Sequence, residues 1–153
     1  MFNFMEINKK LIVIDWVKNK NVKGRMLNLT LCSEQRKILR GRKFSDCNKE
    51  LFLQLPREGI INDGDVFRTN QENIFICVKA RIENLFQIYI SSKLNMLKLT
   101  YHLGNRHVRM EINDNYLFVK EDHVIKNLLE SFDAEIKLVN KKFFPEIGAF
   151  YHD

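Results

Sequence analysis

The chain lacks any apolar run close to the roughly eighteen residues that a membrane-spanning helix needs. Its early run Leu11 to Ile14 is too short for a signal-peptide core, and no small-residue cleavage site follows it. A cytoplasmic protein with no membrane partner is therefore expected. Cysteine is scarce and odd in number: Cys32, Cys47 and Cys77 stand far apart, and none falls in a C-x-x-C pair. That excludes a zinc ribbon, and suits reduced thiols in a cytosol better than a disulfide framework. Neither Gly41 nor Asp63-Gly64-Asp65 fits a phosphate-cradling loop or a dinucleotide fingerprint, and no nucleophile–base pair stands out. Enzymatic activity is not expected. Internal repeats and low-complexity segments are also missing.

What is present is a globular composition, 45% apolar and 29% charged over 153 residues, enough for one medium domain or two small ones. The charge is uneven. Residues 1–80 carry fifteen Lys+Arg against nine Asp+Glu, and residues 81–153 carry ten of each, so the net +6 belongs to the first half. Its densest part is Arg36, Lys37, Arg40, Arg42 and Lys43. Such a patch attracts an acidic protein face, a nucleic acid or an anionic membrane, or is simply a solvated surface. A small basic nucleic-acid-binding module is the alternative reading. Against it, the second half is neutral and has no basic-aromatic strand signature for stacking bases.

The first half reads as strands. Leu11–Ile14 is β-branched, Met26–Leu31 alternates, Leu51–Leu55 ends at Pro56, and Val66–Arg68 and Ile74–Val78 each follow a turn signal. Ser33 to Arg36 could start one helical turn. Five or six short strands predict a small all-β domain over residues 1–79, either a sandwich or a half-barrel. From residue 80 the period changes to strand, helix, strand, strand, helix, strand, the order of a ferredoxin-like βαββαβ domain. Ser92 opens the first helix, whose apolar residues Leu94, Leu97 and Tyr101, with Met96, Leu99 and Leu103 on a neighbouring stripe, predict a buried face. Gly104-Asn105 is expected to end it in a left-handed conformation. Asp122 caps the second helix, with Val124, Ile125, Leu128, Leu129 and Phe132 as its stripe. The fold class is thus α+β: domain 1–79, domain 80–153, and a short C-terminal arm after Phe144.

The stretch Tyr101-His102-Leu103-Gly104-Asn105-Arg106-His107-Val108 concentrates the polar chemistry. It resembles the signature of the urease accessory protein E (UreE) family, nickel metallochaperones for urease. Asp122-His123-Val124, Leu128-Leu129, Phe144-Pro145-Glu146 and Gly148-Ala149-Phe150 match in the expected order, so the resemblance covers about residues 97–152. It implies a homodimer in which His107 of each chain meets its symmetry mate as a metal ligand, and a tail histidine, here His152, that completes the coordination. Imidazole suits nickel, and also takes zinc or copper in vitro. The family's histidine-rich tail is reduced here to that one residue. His102 falls where the family varies and is expected to pack or cap. His123 matches a peripheral site of some relatives, but Glu121 replaces its second histidine, so a helix N-terminal role is favoured. Arg106 is expected to cap the first helix, and Phe144 to fill a core edge. The resemblance further implies a peptide-binding-like N-terminal domain. It also implies nickel transfer through a complex with the urease GTPase accessory protein and the urease apoprotein.

Overall fold

The structure is a computed structural model that describes residues 10–18 and 21–148. The chain divides into two compact units, Met1–Ala80 and Arg81–Asp153. The first holds strands β1 (Leu11–Trp16), β2 (Arg25–Leu31), β3 (Arg40–Phe44), β4 (Glu50–Gln54), β5 (Val66–Thr69) and β6 (Ile74–Ala80). They form one sheet in the order β2-β6-β5-β1-β4-β3. Its two ends are tied together. Just past β3, Asp46 donates its N–H to the Asn28 carbonyl of β2 at 2.8 Å, and its carboxylate accepts from the Thr30 N–H and hydroxyl at 2.9 and 2.7 Å. Of the two expected arrangements the chain takes the curled one, because a single sheet can cover its own apolar face by bending. Leu11, Val13, Leu51, Leu53, Phe67, Ile76 and Val78 are sealed inside it. Trp16 closes one side, edge-on to Phe67 at 5.5 Å, with its indole N–H on Asp65 at 2.9 Å.

One local expectation is corrected here, and one strand appears that the sequence did not announce. The basic cluster is not one exposed patch: Arg36 is buried in a 3-10 turn, Gln35–Lys37, while Arg42 pairs with Glu50 at 3.3 Å. And Arg40–Phe44 is itself a strand, paired to β4 and lying at the sheet's edge. Its charges are tolerated there because an edge strand has little to bury.

The second unit runs β7 (Ile82–Tyr89), α1 (Lys93–Asn105), β8 (Met110–Ile112), β9 (Leu117–Lys120), α2 (His123–Glu130) and β10 (Glu135–Lys142). The antiparallel sheet has the order β10-β7-β9-β8, the ferredoxin-like arrangement. Both helices begin where the sequence places their caps. The Ser92 hydroxyl accepts from the Asn95 N–H, and the Asp122 carboxylate accepts from the N–H groups of Val124 and Ile125. Leu99 and Leu103 of α1 and Ile125 and Leu129 of α2 pack with Phe86, Ile88, Leu117 and Val119 in one core, so both helices cover the same face. No described helix is long and apolar enough to cross a membrane.

Two apolar assignments change. On α1 the inward stripe is Met96, Leu99 and Leu103 alone, and Leu94, Leu97 and Tyr101 stand 60%, 68% and 66% exposed. After β10 it is Phe143, fully buried with Leu85 and Phe118 on the other face of the sheet, that fills the core, while Phe144 is exposed. Adjacent residues in an extended chain point to opposite sides, so only one of the pair can face in.

Candidate metal centre

His107 lies between α1 and β8, and its backbone is unusual. Helix α1 ends when the Val108 N–H returns to the Leu103 carbonyl at 3.0 Å and the His107 N–H to the Gly104 carbonyl at 2.9 Å. This pair of bonds is a Schellman cap, with apolar Val108 packed against the core that holds Leu103. The left-handed position of such a cap is usually glycine. Here it is His107, at φ 55°, and neither Gly104 nor Asn105 takes it. A side chain in that conformation costs on the order of 1–2 kcal/mol. In return, the cap fixes the Cα–Cβ direction of an exposed imidazole at a sharp corner. Among the described residues no side-chain hydrogen bond engages that ring.

The other histidines of the described segment are placed differently. His102 is half-buried, its ring 5.5 Å from Phe132 and 5.6 Å from Tyr101, and so ties α1 to the segment after α2. Arg106 donates to the His102 carbonyl at 3.2 Å, capping the helix end as expected. His123 is the exposed first residue of α2. The bond from the Ile125 N–H, working against partial desolvation, together with the Val124 N–H and the charge of His123, holds the Asp122 carboxyl below its ordinary range. His152 lies outside the described residues. Among those described, no three His, Cys, Asp or Glu side chains gather as a ligand set. The structure thus brings none of the candidate histidines together within the described part of one chain.

Two features bear on the site, the first expected from the sequence to be buried and the second not expected at all. The first is the exposed row Leu94, Leu97, Tyr101, which runs along α1 toward the cap that carries His107. The second is the path of the arm. The Phe144 N–H donates to Glu111 at 2.9 Å, and the Glu146 N–H donates to the Met110 carbonyl at 2.7 Å. The arm therefore passes from the level of Glu111 to the level of Met110, toward the end of β8 nearest His107. A carboxylate between Met110 and Ile112 in a short strand was the available signal for its anchor.

Comparison with known proteins bears on the same residues. The family described as "UreE urease accessory protein, C-terminal domain" matches residues 83–153. The chain is 52% identical over 149 residues to the urease accessory protein UreE of Prochlorococcus marinus subsp. pastoris (strain CCMP1986 / NIES-2087 / MED4), covering 97% of each chain. It is 40% identical over 126 residues to the urease accessory protein UreE of Synechococcus sp. (strain WH7805), covering 82% of this chain and 72% of that one. With the protein of the same name from Parasynechococcus marenigrum (strain WH8102) the identity is 36% over 124 residues, 81% of this chain and 83% of the relative.

Proposed function

The chain belongs to the UreE family of urease accessory proteins, and on that premise we propose that it is a homodimeric carrier that binds Ni(II) and delivers it for assembly of the urease active site. The observation that carries this reading is the exposed apolar row on α1, the helix whose C-terminal cap holds His107. Leu94, Leu97 and Tyr101 fall at i, i+3 and i+7, one face of a helix, and each is more than half exposed in the single chain. Burying such a side chain stabilises by roughly 1.5–3 kcal/mol. A two-fold contact along this row covers the same patch on both chains and sets the two His107 residues facing one another.

His107 and its symmetry mate are then the central ligands. His152 of each arm adds to them. The arm already heads along β8 toward His107 at Glu146, and four residues, Ala149 to His152, extend the chain by about 14 Å beyond Gly148 at full stretch. Few, exposed ligands suit a carrier, which must release its cargo; a closed four-ligand cage would retain it. Imidazoles of this kind favour nickel and also accept zinc or copper in vitro. No step of this task needs a nucleophile or a catalytic base, and we read the protein as a non-enzyme of the cytoplasm.

The first unit serves partner docking in this reading. With Arg36 buried, its exposed positive charge at the β3 edge rests on Arg40, with Lys43 half-buried and Arg42 paired, and the matching partner is an acidic protein face. That partner is the complex of the urease GTPase accessory protein with the urease apoprotein, not a nucleic acid or a membrane. The test is activation of urease apoprotein with nickel supplied only as the loaded carrier. Wild-type protein should support activation and His107→Ala should not. Equal activation by a dimeric His107→Ala protein would overturn the proposal.

A further inference from the structure

The strongest unassigned feature is the cluster on the sheet face away from the helices. Glu111 of β8 is turned into it and holds three partners at once: the Lys141 ammonium of β10, the Phe144 N–H at 2.9 Å and the Asn113 side-chain amide at 3.3 Å. The Lys141 ammonium also sits 4.0 Å above the Phe118 ring. Phe143, next along the chain, is buried against Phe118 and Leu85. β10 and β8 are opposite edges of this sheet. The chain thus leaves one edge at Lys142, anchors Phe143 under the sheet and arrives at the other edge, where Glu111 receives it.

We propose that Glu111 is a positioning residue for the tail ligand: its carboxylate fastens the root of the arm to β8, so that the arm leaves toward His107. The inference rests on the metal-site reading above. A chain that exits a domain untethered samples a large volume, and the effective concentration of its last residues at any one place is low. Fixing Phe144 and Glu146 against β8 moves the tether point of whatever follows onto β8, which raises that effective concentration. Outer partners of this kind orient ligands without touching the metal. The bond from the Phe144 N–H is charge-assisted, and the paired ammonium of Lys141 keeps the carboxylate from being buried alone.

Two variants separate the possibilities in the full chain. Glu111→Ala removes the acceptor, whereas Glu111→Gln keeps an amide oxygen for the Phe144 N–H. In metal-free protein, hydrogen exchange at the Glu146 amide should quicken by tenfold or more in Glu111→Ala and stay near wild type in Glu111→Gln. With nickel alone as the probe, Glu111→Ala should weaken binding by roughly ten- to a hundredfold, the range typical of outer-partner loss. Truncation after Ala149 should weaken it by the same factor, and the two changes together should be no worse than either. Unchanged exchange at Glu146 would overturn the clasp itself. Faster exchange with losses that multiply would overturn its link to the tail. Failure of the His107 site shows separately, as nickel binding indifferent to His107→Ala while the exchange result stands.

Discussion

Among the described residues of the first unit the side chains that face inward from β1, β4, β5 and β6 are sealed, and the exposed large apolar residues Ile14, Met26, Ile38 and Phe44 fall on three different strands and the turn before β3. In the second unit the helices cover one sheet face just as well, yet α1 keeps three large apolar residues in a single outward row. Scattered exposure is normal for a monomer surface, whereas a continuous row marks a contact still to be made. Charge divides the same way: the first unit holds the excess of lysine and arginine, the second is balanced. One unit is finished within the chain and presents charge. In the proposed dimer the other is completed by a second copy, and His107 sits in the cap of the helix that carries the row.

The sharpest test of that contrast compares neighbours on α1. Leu99→Ala opens a cavity in a sealed core and should cost about 2–5 kcal/mol in urea unfolding, as should Leu53→Ala in the first unit. Leu97→Asp should cost the folded monomer under about 1 kcal/mol, yet shift the protein to monomer in sedimentation equilibrium. If Leu97→Asp unfolds the chain, or leaves the dimer intact, the row is not the contact.

A smaller effect of opposite sign is expected at the cap. His107→Gly relieves the left-handed strain and should stabilise the metal-free protein by up to about 1 kcal/mol while removing the ligand. Stability lost on this change would mean that the histidine ring holds the fold, and the division between scaffold and site would be misplaced.

The distinction between the two stripes of α1 shows what the sequence could carry. Caps, turns and the order of elements were legible because each rests on local chemistry: Ser92 and Asp122 accept their N–H groups as expected, and Asn113 to Tyr116 closes the β8–β9 hairpin with a 2.9 Å bond. Which stripe faces inward was not legible. Leu94-Leu97-Tyr101 and Met96-Leu99-Leu103 have equivalent helical spacing, and only packing against the sheet decides. Strand β3 was hidden because Arg40-Gly41-Arg42-Lys43 shows no apolar alternation at an edge that needs none. At the candidate site His107 was legible as a residue, through its motif. Its left-handed backbone was not, because glycine and asparagine three and two residues earlier offered the expected stop.

The smallest effect concerns acid. Burial works to raise the Glu111 carboxyl, but the bonds from Lys141, the Phe144 N–H and Asn113 outweigh it and hold the group below its ordinary value of 4.5. A folded-state pKa below the unfolded one contributes stability that is complete above that ordinary value and is lost as pH falls through the lowered one. Exchange at the Glu146 amide should therefore be flat with pH above about 4.5, once corrected for intrinsic rate, and quicken only in stronger acid. An onset at neutral pH would point to another group.

The central claim is that the metal site belongs to the pair of chains and not to either one. Calorimetric titration of the purified protein with nickel, with its oligomeric state measured alongside, tests it directly. The account predicts one tight ion per two chains. It predicts loss of that site in His107→Ala, and weaker binding at unchanged stoichiometry after truncation at Ala149. Two equal, independent ions per dimer that survive His107→Ala would contradict it.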